Sequence, residues 1–523
     1  MGVAKPQNPG GQKEDGFGDY LNILSGTSQN VVGIAIAALA TFAAQILMGQ
    51  TLGADGFGVV TVMTQAAFVI SFLTRAGMDM AVLRDVAIEV GVGRRDKIRV
   101  PVARAMQIAC AVSTVVALLA FLFADQVRQI FSIDSDLGRN VVQAAALGLP
   151  FLALANVWLS ATRGLKIMRY TLYVFWAGQP VGWVLLMLVG WRFSETTWMS
   201  TFAYSISWLL ASVAAYYFWR RESHGWKAEP MEPGAIGKLM RYAGPRAPAA
   251  LFSQLLFWTD LFVLTNYVSG TAVGRYSAVL RAGQVMVLFL TSVSLMFSPF
   301  VADLHNRGET ERLDKLFKAL TRWTLAAMMP AFLLLAVAPD LVLRIFGSDF
   351  SSEQAEAALL IILVGQFINM ATGSVGFVLI MVGRTGWDLL VYAASLALNL
   401  VLAFWLCPEY GLVGAAIANA VTFALSKWAR LVLVKRFVGI QPYNRDYLRL
   451  IAPSLAGAGT MWGVHRAMGG DSLMNLAATA VLGTLAYLLV YLGVGLTDAE
   501  RRGLTRVFAM VKTRLRGPRN NAA

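Results

Sequence analysis

About fourteen stretches of the chain stay apolar over the length of a bilayer crossing, and no other feature constrains the fold as strongly. They fall near 28–50, 58–81, 100–124, 139–162, 171–191, 198–219, 245–268, 272–301, 319–339, 355–382, 388–407, 412–434, 449–468 and 474–496. A hydrocarbon core of about 30 Å takes roughly 20 helical residues. Lipid offers an open backbone no partner, so each stretch reads as a helix. Only 14% of residues are charged and 57% are hydrophobic, whereas soluble domains carry about 25% charged residues. No stretch is left for a large soluble catalytic domain. The expected fold is all-α and integral to a membrane, with about 14 transmembrane helices. Pro101, Pro150, Pro180, Pro248, Pro299, Pro330 and Pro453 should kink helices or sit at their ends.

The net charge of +14 would suggest nucleic acid in a soluble protein. Here it follows the loops instead. Arg94, Arg95, Lys97, Arg163, Lys166, Arg220, Arg221, Arg312, Lys315, Lys435 and Arg436 fall on one side, whereas the other holds only Arg128, Arg139, Arg192, Arg344 and Arg466. The positive-inside rule then places both termini in the cytoplasm, with membrane lipids and no nucleic acid as surroundings. The expected divisions are a disordered tail over 1–25, an N-lobe over 26–219, a linker over 220–244 and a C-lobe over 245–434. A second linker over 435–448, two further helices over 449–496 and a basic tail over 497–523 complete the chain. Nothing before residue 28 has the pattern of a removable leader. Pro6 stands where an N-myristoylation signal needs Ser or Thr. The first apolar stretch is therefore expected to be retained as an anchor.

The chain also repeats. Asp125-Gln126-Val127-Arg128-Gln129-Ile130-Phe131 and Asp340-Leu341-Val342-Leu343-Arg344-Ile345-Phe346 close the third and ninth stretches, about 215 residues apart. Gly56-Phe57-Gly58-Val59 faces Gly274-Arg275-Tyr276-Ser277 at nearly the same offset. Stretches one to six thus map onto seven to twelve. Six is even, so both halves insert in the same direction and form two six-helix lobes related by a pseudo-twofold axis along the membrane normal, a transporter architecture. The last two helices lie outside the repeat.

Enzyme signatures are thin, and the chain is not expected to be an enzyme. His224, His305 and His465 are scattered without metal-ligand spacing. Asp134-Ser135-Asp136 reads as a solvated helix start, and Gly234-Ala235-Ile236-Gly237-Lys238 is too short for a nucleotide-binding loop. Cys110 and Cys407 are isolated, so neither a disulfide framework nor a thiol metal site is supported. The loop signature of the major facilitator transporters is absent around Gly93-Arg94-Arg95, where Val90 and Val86 replace its Asp and Gly. No bound cofactor is expected, although a proton or sodium gradient is a candidate driving force.

Four stretches carry a family resemblance. They are Leu52-Gly53-Ala54-Asp55-Gly56-Phe57-Gly58, Asp260 with Val273-Gly274-Arg275-Tyr276-Ser277, Ile345-Phe346-Gly347-Ser348-Asp349-Phe350, and Tyr410-Gly411-Leu412-Val413-Gly414-Ala415-Ala416. In order and spacing they resemble the oligosaccharide-flippase (Wzx-like) branch of the multidrug/oligosaccharidyl-lipid/polysaccharide exporter superfamily. The resemblance spans about residues 20–440. It implies translocation of an undecaprenyl-pyrophosphate-linked oligosaccharide from the inner to the outer leaflet, for O-antigen, capsule or exopolysaccharide synthesis. A polysaccharide polymerase and other pathway proteins would be partners. It also implies that spans 1, 2, 7 and 8 line a central cavity. A cation-coupled drug or metabolite exporter of the same fold, or a lipid II flippase, remains an alternative. A membrane-bound sugar transferase or polymerase is more distant, because the outer loops are short.

Polar residues on those four spans are the site candidates, because a charge at mid-bilayer costs about 2.5–3.5 kcal/mol. Arg281 and Arg75 suit a pyrophosphate, since a guanidinium stays charged when partly desolvated and offers several donors. Gln45, Gln65, Gln254, Asn266 and Gln284 supply uncharged groups for sugar hydroxyls, or glue between helices. Asp260 and Asp79 are candidates for binding a coupling ion. Two structural alternatives stay open. Arg75 and Asp79, at i and i+4 on span two, can be an interfacial pair. Asp260 and Arg281, at matching depth on spans seven and eight, can simply neutralise each other.

Overall fold

The computed structural model describes residues 17–501 apart from 92, 134, 166, 168, 228, 231–236, 238, 239, 241–245, 471, 498 and 499. Among the described residues the chain is helical and carries no strand. Its helices are α1 (Phe17–Thr74), α2 (Met78–Gly91), α3 (Arg99–Leu122), α4 (Ala124–Ile130), α5 (Ser135–Gly164), α6 (Arg169–Thr171), α7 (Gln179–Trp191) and α8 (Thr197–Glu222). After the linker come α9 (Arg246–Leu264), α10 (Gly270–Asn306), α11 (Thr310–Val337), α12 (Pro339–Arg344), α13 (Glu353–Thr372), α14 (Val375–Met381) and α15 (Thr385–Val438). The last two are α16 (Ile451–Met468) and α17 (Leu473–Val490).

Every apolar stretch of the sequence lies in one or more of these helices, and the protein is a multi-pass membrane protein. Spans one and two run together in α1 through Gly53, whose φ of 68° breaks the helix. Spans eleven and twelve run together in α15 through Gly411, at φ 53°. Both conformations are left-handed and favour glycine. The 54 residues of α15 are enough for two crossings at about 1.5 Å per residue. Span five begins as a π-helix over Leu172–Gly178, just before Pro180, whose missing N–H relaxes the ladder there. Three boundaries differ from the sequence reading. The first helix begins at Phe17, inside the tail expected over 1–25. Span two stops at Thr74 rather than 81, with Ala76 and Gly77 at φ 51° and 71°. Span ten breaks at Gly373, φ 63°, into α13 and α14. Most of the linker expected over 220–244 and of the tail over 497–523 lies outside the described residues.

The lobes meet at the end of the bundle opposite the basic loops. There Gly58 of α1 crosses Gly270 and Gly274 of α10 so closely that a Cβ on Gly274 would stand 1.7 Å from the Ala54 carbonyl oxygen. Gly270-x-x-x-Gly274 is a small-residue stripe, and such stripes let membrane helices gain van der Waals contact that larger side chains would block. Phe57 packs on Phe346 and Phe350, with ring centroids 5.9 and 5.3 Å away. Gln50 donates to the Ile345 carbonyl at 3.0 Å, and Phe131 meets Phe262 edge-on at 5.5 Å.

Among the described residues, one large apolar core joins both lobes at this sealed end. Toward the basic loops, separate clusters serve each lobe: Met78, Val82, Val86, Ile98 and Val102 in one, and Val293, Phe297, Leu313, Leu316 and Phe317 in the other. The cluster that includes the sealed end thus joins the lobes, while these two clusters each pack within one lobe. Helices α16 and α17 pack on each other and on α11. Glu500 accepts hydrogen bonds from Arg322 and Trp323, and Arg322 also donates to the Gly495 carbonyl. Burial alone would raise the Glu500 pKa, but the hydrogen bonds from Arg322, the Thr497 backbone and Trp323 hold it below the ordinary carboxylate value.

A bulkier residue at the crossing tests this account. Gly274→Leu should lower the unfolding temperature of the purified protein, since overpacking costs about 1–3 kcal/mol. It should also abolish cross-linking between Gln50→Cys and Ile345→Cys. Gly459→Leu, whose added atoms meet open space, should do neither.

Candidate functional site

Arg281 is the most exposed to unmet demand among the buried charges. It lies on α10 with 8% of its surface accessible. Its guanidinium sits 4.9 Å from the centroid of the Trp258 ring and donates through Nη1 to Gln284 Oε1 at 3.2 Å. Nε and Nη2 are buried without a hydrogen-bond partner. Among the described residues no carboxylate pairs with it. A cation held by a neutral amide and an aromatic face keeps its charge available to an anion.

Asp260, fully buried on α9, is not that anion. Tyr276 Oη donates to its Oδ2, and Asn419 Nδ2 donates to the same oxygen at 3.1 Å. Oδ1 has no partner. The expected neutralising pair between Asp260 and Arg281 does not form, for a reason of helical phase. Trp258 and Asp260 are two positions apart, and residues at i and i+2 point to different sides of a helix. Arg281 rests on Trp258, so it is turned away from Asp260, which faces Asn419 of α15 instead.

Arg75 and Asp79 do pair, Nη1 to Oδ2 at 3.4 Å, but not along one helical face. The break at Ala76 and Gly77 lies between them, and Asp79 caps the first turn of α2 by accepting from the Met80 N–H at 2.8 Å. Arg75 also donates to Ser71 Oγ at 2.8 Å and lies 4.2 Å from the Phe72 ring centroid. Arg163 joins them. The basic-loop reading of this residue is corrected by the structure, which ends α5 at Gly164 with Arg163 donating to Ser160 Oγ at 2.5 Å and within Coulombic reach of Asp79. Of the two guanidinium groups, only that of Arg75 pairs directly with the Asp79 carboxylate. Tyr204 is buried on α8, where its ring packs edge-on against Trp183 and Trp208.

The amides divide. Gln284 touches Arg281. Gln45 is buried with Oε1 unpartnered, while Gln65 and Gln254 are half-buried. Asn266 is displaced from any cavity: it is exposed in the turn after α9, where Ser132 Oγ donates to its Oδ1 at 3.1 Å across the sealed end. It ties the lobes together. Trp258, Tyr276, Asn419, Tyr204 and Arg163 were not legible as site residues, because their roles depend on which faces meet. Among the described residues no group of three or more His, Cys, Asp or Glu side chains converges on a metal site.

Comparison with known proteins agrees with this architecture. The profile of the family described as polysaccharide biosynthesis protein matches residues 23–305, and that of the MatE family matches residues 245–405. The probable low-salt glycan biosynthesis flippase Agl15 of Haloferax volcanii is 25% identical over 256 residues, 49% of this chain and 54% of that protein. The probable flippase AglR of the same organism is 25% identical over 172 residues, 32% of this chain and 36% of that one. The chain thus spans about half the length of the first of these relatives and less of the second. Among solved structures, the lipid II flippase MurJ in an inward closed conformation superposes with a TM-score of 0.68 at 14% identity, over 88% of this chain and 97% of that one. The MATE multidrug transporter DinF-BH does so at 0.61 and 16%, over 80% and 95%. At these identities the likeness is one of fold.

The Arg75–Asp79 pair yields a stability test. Asp79→Asn leaves Arg75 without its anion, and stranding a buried charge costs about 3–5 kcal/mol. The variant should unfold at a clearly lower temperature. Adding Arg75→Gln should recover part of the loss; strictly additive effects in the double-mutant cycle would show that the two side chains are not coupled.

Proposed function

The chain belongs to the polysaccharide biosynthesis protein family, and from that premise we propose that it is a flippase for a lipid-linked oligosaccharide. In this reading it moves an undecaprenyl-pyrophosphate-linked glycan from the inner to the outer leaflet of a bacterial cytoplasmic membrane, where a polysaccharide polymerase takes it up. The basic loops face the cytoplasm. The lobes then rock about their sealed outer end, and the basic end admits cargo. The single observation that carries the reading is Arg281: a buried cation, without a carboxylate partner among the described residues, on a helix at the lobe interface. A pyrophosphate is the complementary anion, and Nε and Nη2 are the donors left for it. Arg75 is a candidate second contact in this reading, with Gln284, Gln45, Gln65 and Gln254 available to sugar hydroxyls.

A specific observation favours ion coupling. The unpartnered Oδ1 of fully buried Asp260 leaves one carboxylate oxygen free to take a proton or a sodium ion. Asp260 would then respond to the gradient while Arg281 holds the cargo, two roles on opposite sides of α9.

Flipping in proteoliposomes tests both parts. Arg281→Gln should abolish translocation of the lipid-linked glycan while the protein still inserts and elutes as the wild type does; full activity would reduce Arg281 to a packing residue. Asp260→Asn should leave slow flipping that no longer responds to an imposed pH or sodium gradient. An undiminished gradient response would remove Asp260 from coupling.

A further inference from the structure

Away from Arg281, the C-lobe holds a cavity of about 190 Å³ between α9, α10, α13, α14 and α15. Three observations mark it as built for a ligand. The first is a guanidinium with one nitrogen to spare. Arg430 is 3% exposed and fixed by Asp388 Oδ1, which accepts from Nε at 2.8 Å, by Ser426, which accepts from Nη1, and by the Tyr392 ring, whose centroid lies 4.1 Å from its Cζ. Nη2 remains buried and unpartnered.

The second is an acceptor in the same wall. Asn369, also 3% exposed, donates through Nδ2 to Gln366 at 3.1 Å and leaves Oδ1 buried without a partner. The third is the backbone. The break at Gly373 and Ser374 lines this cavity, and interrupted helices within a membrane persist where they border protein or a cavity. Ser374 meets Ser294 there at 2.7 Å. Lys427 also lines the cavity, without a hydrogen-bond or ion-pair partner among the described residues. Lys427 and Arg430 set two basic side chains against the single carboxylate of Asp388.

We infer that this cavity is a second binding site, inside the C-lobe, for a phosphate-type oxyanion that carries a proton. Lys427 and Arg430 Nη2 supply cationic donors to its oxygens. Asn369 Oδ1 accepts from its P–OH, a demand that chloride and sulfate do not meet. A cavity of about 190 Å³ has room for a phosphate or a phosphomonoester head. Free phosphate and the head of a phosphomonoester lipid present the same chemistry.

The test uses the purified full chain. Inorganic phosphate should raise its unfolding temperature by a few degrees over chloride at equal ionic strength, because a ligand that binds only the folded state stabilises it. Sulfate should do less. In nanodiscs, phosphatidic acid in place of part of the phosphatidylcholine should reproduce the shift if the site takes a lipid head, and should leave it unchanged if only free phosphate enters. Lys427→Gln, which strands no carboxylate, should remove most of the shift. So should Arg430→Gln combined with Asp388→Asn, which avoids an orphaned charge. Arg281→Gln should retain it, which separates this site from the proposed cargo site. The inference is overturned if neither phosphate nor phosphatidic acid stabilises the wild type, if sulfate matches phosphate, or if the shift survives Lys427→Gln and the double variant undiminished.

Discussion

Gly274 lies so close to the Ala54 carbonyl that no side chain fits between them, and this crossing decides how the two lobes can move. In a bilayer there is no water-driven hydrophobic force between apolar helices, so lobe adhesion comes from close van der Waals packing. The crossing concentrates that packing at one end, with Phe57, Phe346 and Phe350 adding aromatic pairs worth about 0.5–1.5 kcal/mol each. At the other end, each lobe keeps its own apolar cluster among the described residues. A pair of bodies fastened at one end and independently packed at the other can rock without unpacking either core.

The charges follow the same division. Arg75 pairs with Asp79 within the N-lobe, and Arg430 with Asp388 within the C-lobe. Each of these two pairs lies inside one lobe, so its partners move together when that lobe moves. Arg281 differs, since its nearest groups are Gln284 and Trp258, both neutral. Among the described residues no carboxylate competes for its charge, so an entering anion can neutralise it.

The sequence carried the span positions and the repeat, because hydropathy is a local property. It did not carry rotation about helix axes. Asp260 and Arg281 lie at similar depth, but the two-residue offset from Trp258 to Asp260 sends them to different neighbours. Depth alone also misplaced Asn266, which sits on the right span but beyond its end. Arg163, Asp388, Lys427 and Arg430 were obscured because a charge near the end of an apolar run looks like a loop residue that reaches headgroups. Their burial becomes visible only once α2 folds against α5 and α14 against α15. The break at Ala76 and Gly77 could have been suspected from the glycine, though an alanine at positive φ could not.

The last two helices add an asymmetry that the repeat does not have. They are fastened to α11 through Tyr487, which donates to the Ala326 carbonyl at 2.9 Å, and through the Arg322–Glu500 pair at the basic end. Arg322 and Glu500 side chains are 3% and 9% exposed, so this clamp is shielded from the salt that weakens surface pairs. The appended pair must then travel with the C-lobe as one body. Because its packing runs to α11 and α12, on the outer side of that lobe, it enlarges one half without tying it to the other. For the lipid-linked cargo proposed above, a long tail would need a lateral gap between the lobes that opens as they rock. Helices fastened to a single lobe leave that gap free, whereas a bridge between lobes would hold it shut.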